Sequence, residues 1–198
     1  DKSFSKGSLE DFRAVIEDNL MGTVNCTKAC WDLMREQEYG RIVVTTSSSG
    51  LYGNFGQTNY GSAKLGVIGM MNTLVQEGAK YNIRVNALAP TAGTRMTESL
   101  IPEKASDLLP PETVTPAVLY LVSEDGPNRT ILCAGAGGFS VARIVESDGA
   151  WLPPEEQTPE GIAAHWKQIT ATESESAYQA GFVQSAKMIT KAATGLGI

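Results

Sequence analysis

The chain is 198 residues long, with 42% hydrophobic and 19% charged residues. This composition excludes wholesale disorder and allows one sizeable core or part of a larger domain. Sixteen Lys and Arg against 22 Asp and Glu give a net charge of −6 with no basic cluster, which argues against nucleic acid as a partner. No apolar run reaches the ~18 residues of a membrane span, and one histidine with three scattered cysteines excludes an ordinary zinc site and a disulfide framework.

Ser8-Leu-Glu-Asp11 is a capping box, with Ser8 as N-cap. Phe12, Val15, Ile16, Leu20 and Val24 recur at helical spacing and predict a helix from Leu9 to about Gln37, stopped by Gly40. Arg41-Ile-Val-Val-Thr-Thr46 is a short β-branched run typical of a buried strand. Ser47 to Thr58, rich in Ser and Gly, reads as a loop. Tyr60 to Lys80 reads as a second long helix. Its Gly61, Gly66, Gly69 and Gly78 each cost up to ~1 kcal/mol against Ala, so they point to close backbone approach. Asn82 leads into a second buried strand, Ile83 to Ala89, ended by Pro90.

Thr91 to Pro111 is polar and irregular. Pro111 to Ser123 predicts a helix capped by Thr113 or Thr115, and Thr130 to Ala134 a third buried strand. Val141 to Val145 suits a short extra strand. Gly135-Ala-Gly-Gly138 reads as a tight turn rather than a phosphate loop, because Phe139 to Val145 alternates as a strand does. Pro153 to Pro159 looks like a linker. Thr158-Pro159 opens a helix with Ile162, Trp166 and Ile169 on its apolar side. Residues 171–181 read as loose and the end as frayed. The alternation of helices with buried strands implies an α/β fold, a parallel sheet with helices on both faces.

Three residues suit chemistry on an alcohol or a carbonyl. Tyr60 and Lys64 are four apart and share a helix face. Ser47 lies at the carboxyl end of a buried strand, where open α/β sheets hold ligands. A phenol is a poor base at neutral pH, and a neighbouring ammonium favours phenolate. A serine hydroxyl can hold the substrate oxygen beside it, an arrangement suited to proton transfer while hydride leaves or reaches carbon. Asn19, one helix away, is the candidate for a proton relay through water. Taken alone, Tyr-x-x-x-Lys is also the pattern of a surface helix pair, and Ser47-Ser-Ser-Gly50 that of a plain polar loop.

In this order and spacing, after the strand at 41–46, Ser47, Tyr60 and Lys64 resemble the signature of the short-chain dehydrogenase/reductase family. Asn19-Leu-Met-Gly22 and Ile83-Arg-Val-Asn-Ala-Leu-Ala-Pro90 fit the same order, and the likeness covers roughly residues 1–150. The resemblance implies a Rossmann-type doubly wound parallel sheet. Residues 1–152 would be the C-terminal part of the dehydrogenase domain, and 153–198 a linker and tail helix. It implies Tyr60 as catalytic acid/base, Lys64 supporting its ionisation, Ser47 orienting the substrate oxygen and Asn19 completing a tetrad. It further implies an NAD site made by Tyr60, Lys64, Pro90, Ala92 and Thr94, with no metal. The family usually has Gly after this proline, where this chain has Thr91. Family members hold the pyrophosphate in a glycine-rich turn after their first strand. No such turn is seen here, so the N-terminal, glycine-rich half is expected to lie outside this sequence.

More specific are Tyr39-Gly-Arg-Ile-Val43, Ser49-Gly-Leu-Tyr-Gly-Asn-Phe-Gly-Gln57, Ala89-Pro-Thr-Ala-Gly-Thr-Arg-Met-Thr97 and Thr158-Pro-Glu-Gly-Ile-Ala-Ala-His-Trp-Lys167. They resemble the (3R)-hydroxyacyl-CoA dehydrogenase domains of peroxisomal multifunctional enzymes, the last motif being similar to a segment that precedes a hydratase domain. This implies NAD-dependent oxidation of (3R)-3-hydroxyacyl-CoA in fatty-acid β-oxidation, a homodimer, a following hydratase domain and a peroxisomal location. The terminal Gly195-Leu-Gly-Ile198 is not a signal of the Ser-Lys-Leu type. Two other readings stay open: a 3-ketoacyl or other carbonyl reductase of the family, and a non-catalytic dimerising fragment that binds no cofactor. Arg95 and Arg129 are candidates for a CoA phosphate, or simply solvated. Cys26, Cys30 and Cys133 are expected as small buried fillers, Trp31, Trp151 and Trp166 as packing residues, and His165 as an exposed residue without a role.

Overall fold

The computed structural model describes residues 2–94 and 107–198. The chain forms two compact units, Asp1–Ala142 and Arg143–Ile198. The sheet explains the division: its last strand ends at Ala142, and Glu146 bridges instead to Ser176 within the second unit.

In the first unit, Ser8 Oγ accepts the Asp11 N–H at 3.0 Å and starts α1 (Leu9–Ile16), as its capping box predicts. The long helix forms with one departure. A π-helical turn, Glu17–Met21, separates α1 from α2 (Gly22–Glu36). Next come β1 (Gly40–Thr45), a short α3 (Ser48–Tyr52) inside the expected loop, and α4 (Thr58–Gly78). Then follow β2 (Ile83–Pro90), α5 (Thr115–Val122) entered through the 3₁₀ turn Pro111–Val114, β3 (Ile131–Gly135) and β4 (Gly138–Ala142). The sheet order is β1-β2-β3-β4, parallel from β1 to β3 and antiparallel at β4. Ala136 and Gly137 have φ of 50° and 73°, the paired positive values of a two-residue hairpin. Gly135–Gly138 is therefore the tight turn that the alternation after it predicts.

Helices cover both faces of this Rossmann-type sheet. Trp31 of α2 and Val67, Ile68 and Met71 of α4 pack with Val44, Ile83, Val85 and Ala87 on one face. Val114, Ala117 and Leu121 pack with Leu88 and Ala134 on the other. Adjacent Ala87 and Leu88 thus serve opposite cores, the period of two of a strand buried on both sides. Asn86, wholly buried, donates to the carbonyls of Leu121 (3.2 Å) and Pro127 (2.8 Å) and accepts from Thr130 N–H (2.9 Å). Its amide is satisfied and ties β2 to α5 and β3. Gly61, Gly66 and Gly78 lie against neighbours within the unit, whereas Gly69 meets nothing within 4 Å. Cys26 and Cys30 are exposed rather than buried fillers, because α2 turns only Trp31 fully inward; Cys133 is half-buried.

The second unit contains α6 (Pro159–Ala164), α7 (Trp166–Ile169) and α8 (Gly181–Leu196). Thr158 Oγ1 accepts the Gly161 N–H at 3.0 Å, the expected helix start. The segment expected to be loose is anchored at Ser176 by its bridge to Glu146, and the end expected to fray is α8, closed by Gly197 at φ 72°. Lys187 pairs with Glu146, and Lys191 with Asp148 at 2.7 Å. Trp151 packs on Gly195, where an added Cβ would meet the indole at 2.3 Å. Trp166 is exposed rather than packed, since no buried core forms in this unit to receive it. His165 is half-buried, its Nδ1 3.0 Å from the Gly161 carbonyl.

Candidate active site

Parallel pairing brings the carboxyl ends of β1 and β2 to one end of the sheet. Just past β1, the buried Thr46 hydroxyl donates to the Lys64 carbonyl at 2.6 Å and fastens the strand end to α4. Ser47 then caps α3, its Oγ accepting the Ser49 N–H at 3.2 Å. α3 lies so close to α4 that a Cβ on Gly50 would stand 2.8 Å from Lys64 Cβ. A segment that reads as a polar loop is therefore folded against the Tyr/Lys helix.

Tyr60 lies in the first turn of α4, its N–H donating to Asn59 Oδ1 at 2.8 Å. Lys64, one turn on, is only 9% exposed. Its Nζ donates to the Thr45 carbonyl at 3.2 Å and stands 5.5 Å from the Tyr60 ring centroid. A cation is thus held near the phenol face. Burial lowers the Lys64 ammonium from the usual lysine value.

Asn19 lies within the π turn. Its Nδ2 donates to the Val15 carbonyl at 3.2 Å, and its own carbonyl accepts from Thr23 Oγ1 at 3.1 Å. Such turns frequently mark functional positions, because the wider turn re-aims side chains on an otherwise continuous helix.

Asn19, Ser47, Tyr60, Pro90, Ala92 and Thr94 line one cavity of about 930 Å³. Lys64 stands behind Tyr60 rather than in the lining. Past Pro90, Thr91 N–H donates to the Ala134 carbonyl at 2.8 Å. A Cβ on Gly135 would meet the Thr91 carbonyl at 2.5 Å, so this glycine makes room for the loop at Thr91. Arg129 donates to Asn72 Oδ1 at 3.0 Å and is half-buried rather than solvated. Arg95 lies outside the described residues.

Ser49, Asn54 and Gln57 also line the cavity, although sequence reasoning gave them no role. Their signal was the Ser49-to-Gln57 motif, which marked a resemblance but not a chemistry. Phe12 and Val15 of α1 form an apolar wall. Among the described residues, no three His, Cys, Asp or Glu side chains cluster as metal ligands.

The short chain dehydrogenase family model matches residues 1–105. The chain belongs to this family. A short-chain type dehydrogenase/reductase of Mycobacterium tuberculosis is 47% identical over 173 residues, 86% of this chain and 59% of that protein. Mouse peroxisomal multifunctional enzyme type 2 is 45% identical over 172 residues, 85% of this chain and 23% of that protein. Among solved structures, full-length peroxisomal multifunctional enzyme type 2 from Drosophila melanogaster matches with a TM-score of 0.86 and 32% identity, over 99% of this chain and 36% of that one. The chain thus spans less than two thirds of the length of the relatives it matches.

The nicotinamide end of a dinucleotide fits the groups present, since the carbonyl-held Lys64, Tyr60 and the Pro90–Thr94 turn meet at the strand ends. Among the described residues, no glycine-rich turn leads from a strand into a helix to receive the pyrophosphate.

Proposed function

We propose that this chain carries the catalytic site of an NAD-dependent dehydrogenase that oxidises (3R)-3-hydroxyacyl-CoA to 3-ketoacyl-CoA. The observation that carries the reading is the convergence of Asn19, Ser47 and Tyr60 on one cavity with the Lys64 ammonium behind the phenol. Similarity to the multifunctional enzymes supports the substrate class and a peroxisomal setting in β-oxidation. The same reading includes a homodimer, supported by the open Gly69 on α4, and a hydratase domain after the motif at 158–167.

In this reading Ser47 Oγ holds the 3-hydroxyl oxygen, and Tyr60 Oη accepts its proton as C3 gives up hydride. Lys64, from behind the ring, stabilises the negative charge of the phenolate that takes up this proton and, with Pro90, Ala92 and Thr94, holds the cofactor's nicotinamide end. Asn19 passes the proton outward through water. NAD, when bound, supplies the hydride acceptor. General acid–base assistance of this kind contributes about 10²- to 10⁴-fold.

NADH formation by the natural gene product, with (3R)- and (3S)-3-hydroxyacyl-CoA in parallel, tests the reading. Oxidation of the (3R) substrate alone is expected. Turnover only of a carrier-bound 3-ketoacyl group with NADPH, or of neither, would overturn it.

A further inference from the structure

The cavity that holds Asn19, Ser47 and Tyr60 has two unlike walls. One is the helix of Asn19. Ser8, Phe12, Val15 and Asn19 follow one another there at i, i+4, i+7 and i+11, so they form a single stripe, polar at its ends and apolar in its middle. Leu9 and Phe4 widen the apolar part; both line the cavity, yet they are 69% and 73% exposed. No residue of α1 is buried, and neither Phe12 nor Val15 joins a hydrophobic core of the unit.

The other wall runs from α3 into α4 and is polar, with Ser49, Asn54 and Asn59 beside Ser47 and Tyr60. Lys2 ties the two walls together. Its N–H donates to the Gly56 carbonyl at 3.1 Å, and its Nζ donates to Asp11 of α1 at 2.9 Å. The apolar stripe is therefore one side of a bounded cleft. Val15 stands about 6 Å and Phe12 about 10 Å along the helix from Asn19.

A 3-hydroxyacyl thioester is two-sided in the same way. One arm from C3 is a hydrocarbon chain, which gains by leaving water for apolar side chains. The other carries the thioester and the amides of its carrier, which need hydrogen-bond partners. We propose that Phe12 and Val15, continued by Leu9 and Phe4, bind the hydrocarbon chain, and that Phe12 is a specificity-determining residue for its length. The proposal rests on the acyl-thioester reading above. With the chain on α1, the thioester arm on the α3–α4 side and the 3-oxygen at Ser47 and Tyr60, three groups on C3 have fixed places. The direction of its hydrogen is then fixed too, and only one enantiomer can offer that hydrogen to the cofactor.

The test is the ratio of two kcat/KM values in the natural gene product. One substrate is (3R)-3-hydroxydecanoyl-CoA, whose tail is long enough to reach Phe12. The other is (3R)-3-hydroxybutanoyl-CoA, whose tail is a single methyl. Phe12→Ala is expected to lower the decanoyl-to-butanoyl ratio at least ~10-fold, mainly through KM. Phe12→Leu, a milder change that keeps an apolar side chain, is expected to lower it about 3-fold. A general loss of fold or of catalysis depresses both substrates alike, so a wild-type ratio in either folded variant would overturn the proposal. If Phe12→Ala does not fold, Phe12→Leu decides alone. A wild-type enzyme that oxidises neither substrate defeats the acyl-thioester reading by itself. The relative affinity of the NAD-loaded enzyme for decanoyl-CoA and butanoyl-CoA, in wild type and Phe12→Leu, then reports on the apolar wall: an unchanged ratio overturns it.

Discussion

The two units are held together by different physics. Every buried hydrophobic side chain of the described residues lies between Trp31 and Ala134, in the first unit. No residue from Arg143 onward is buried, and that unit relies on ion pairs, one β-bridge and the Trp151–Gly195 contact. The candidate site draws wholly on the first unit. Proton transfer needs donor and acceptor held within a few tenths of an ångström, and a close-packed core supplies that stiffness. A surface held by solvated charges does not.

The largest effect expected from the first unit is chemical. Tyr60→Phe keeps the ring beside the Lys64 ammonium and removes the acid/base, so turnover should fall by at least ~10²-fold while NAD binding persists. NADH production together with a cofactor fluorescence titration measures both. A variant that keeps most of its rate would move the acid/base role elsewhere in the cavity.

Next comes the core itself. Ile68 is 1% exposed, and Ile68→Ala removes buried methyl groups between α4 and the sheet, with an expected loss of about 2–5 kcal/mol in urea unfolding. Ile189 on α8 is 70% exposed, and Ile189→Ala should change stability by less than ~0.5 kcal/mol. Equal losses at the two positions would mean that the second unit hides a core of its own.

What could be read in advance follows the same division. β1, β2 and α4 were legible because a strand buried on both faces leaves a continuous β-branched run, and Tyr60 and Lys64 share a helix face whatever the tertiary packing. The π turn around Asn19 was not, since Phe12, Val15, Ile16, Leu20 and Val24 suit an unbroken helix equally well. α3 escaped notice because its five residues, mostly Ser and Gly, have no apolar period; its packing comes from Thr46 and Gly50 against Lys64. Ser49, Asn54 and Gln57 were not legible as cavity lining because their motif carries a resemblance and no chemistry of its own. In the tail, Trp166 looked like packing by residue type alone, but no core forms around it.

A smaller, sharper test concerns the contact that joins scaffold to site. In Gly50→Ala the new methyl carbon would stand 2.8 Å from Lys64 Cβ and 2.9 Å from its backbone carbon, and a helix backbone yields little. α3 must shift, at a cost of about 1–3 kcal/mol, and Ser47 moves with it. Thermal unfolding and kcat should therefore fall together. Loss of stability with an unchanged kcat would uncouple Ser47 from α3.

The smallest effect lies in the second unit, and pH reveals it. The hydrogen-bonded Lys187 holds the Glu146 carboxyl below its usual value, and Lys191 does the same for Asp148. Both carboxyls ionise more readily folded than unfolded, so their stabilisation is fully present above the unfolded values, near pH 4. It is lost as pH falls through the lower folded ones. Solvent screens these exposed groups, so the effect at neutral pH is slight. In acid it selects one unit: Glu146 and Asp148 release α8 as they are protonated, whereas the apolar contacts of Val67, Ile68 and Met71 carry no titrating group. Hydrogen exchange followed from neutral pH to about pH 3 should show α8 amides losing protection before those of α4. Glu146→Gln should blunt that step by removing one of the two carboxyls that drive it. Simultaneous loss in both helices would show that the two units unfold as one, and the contrast between them would fall.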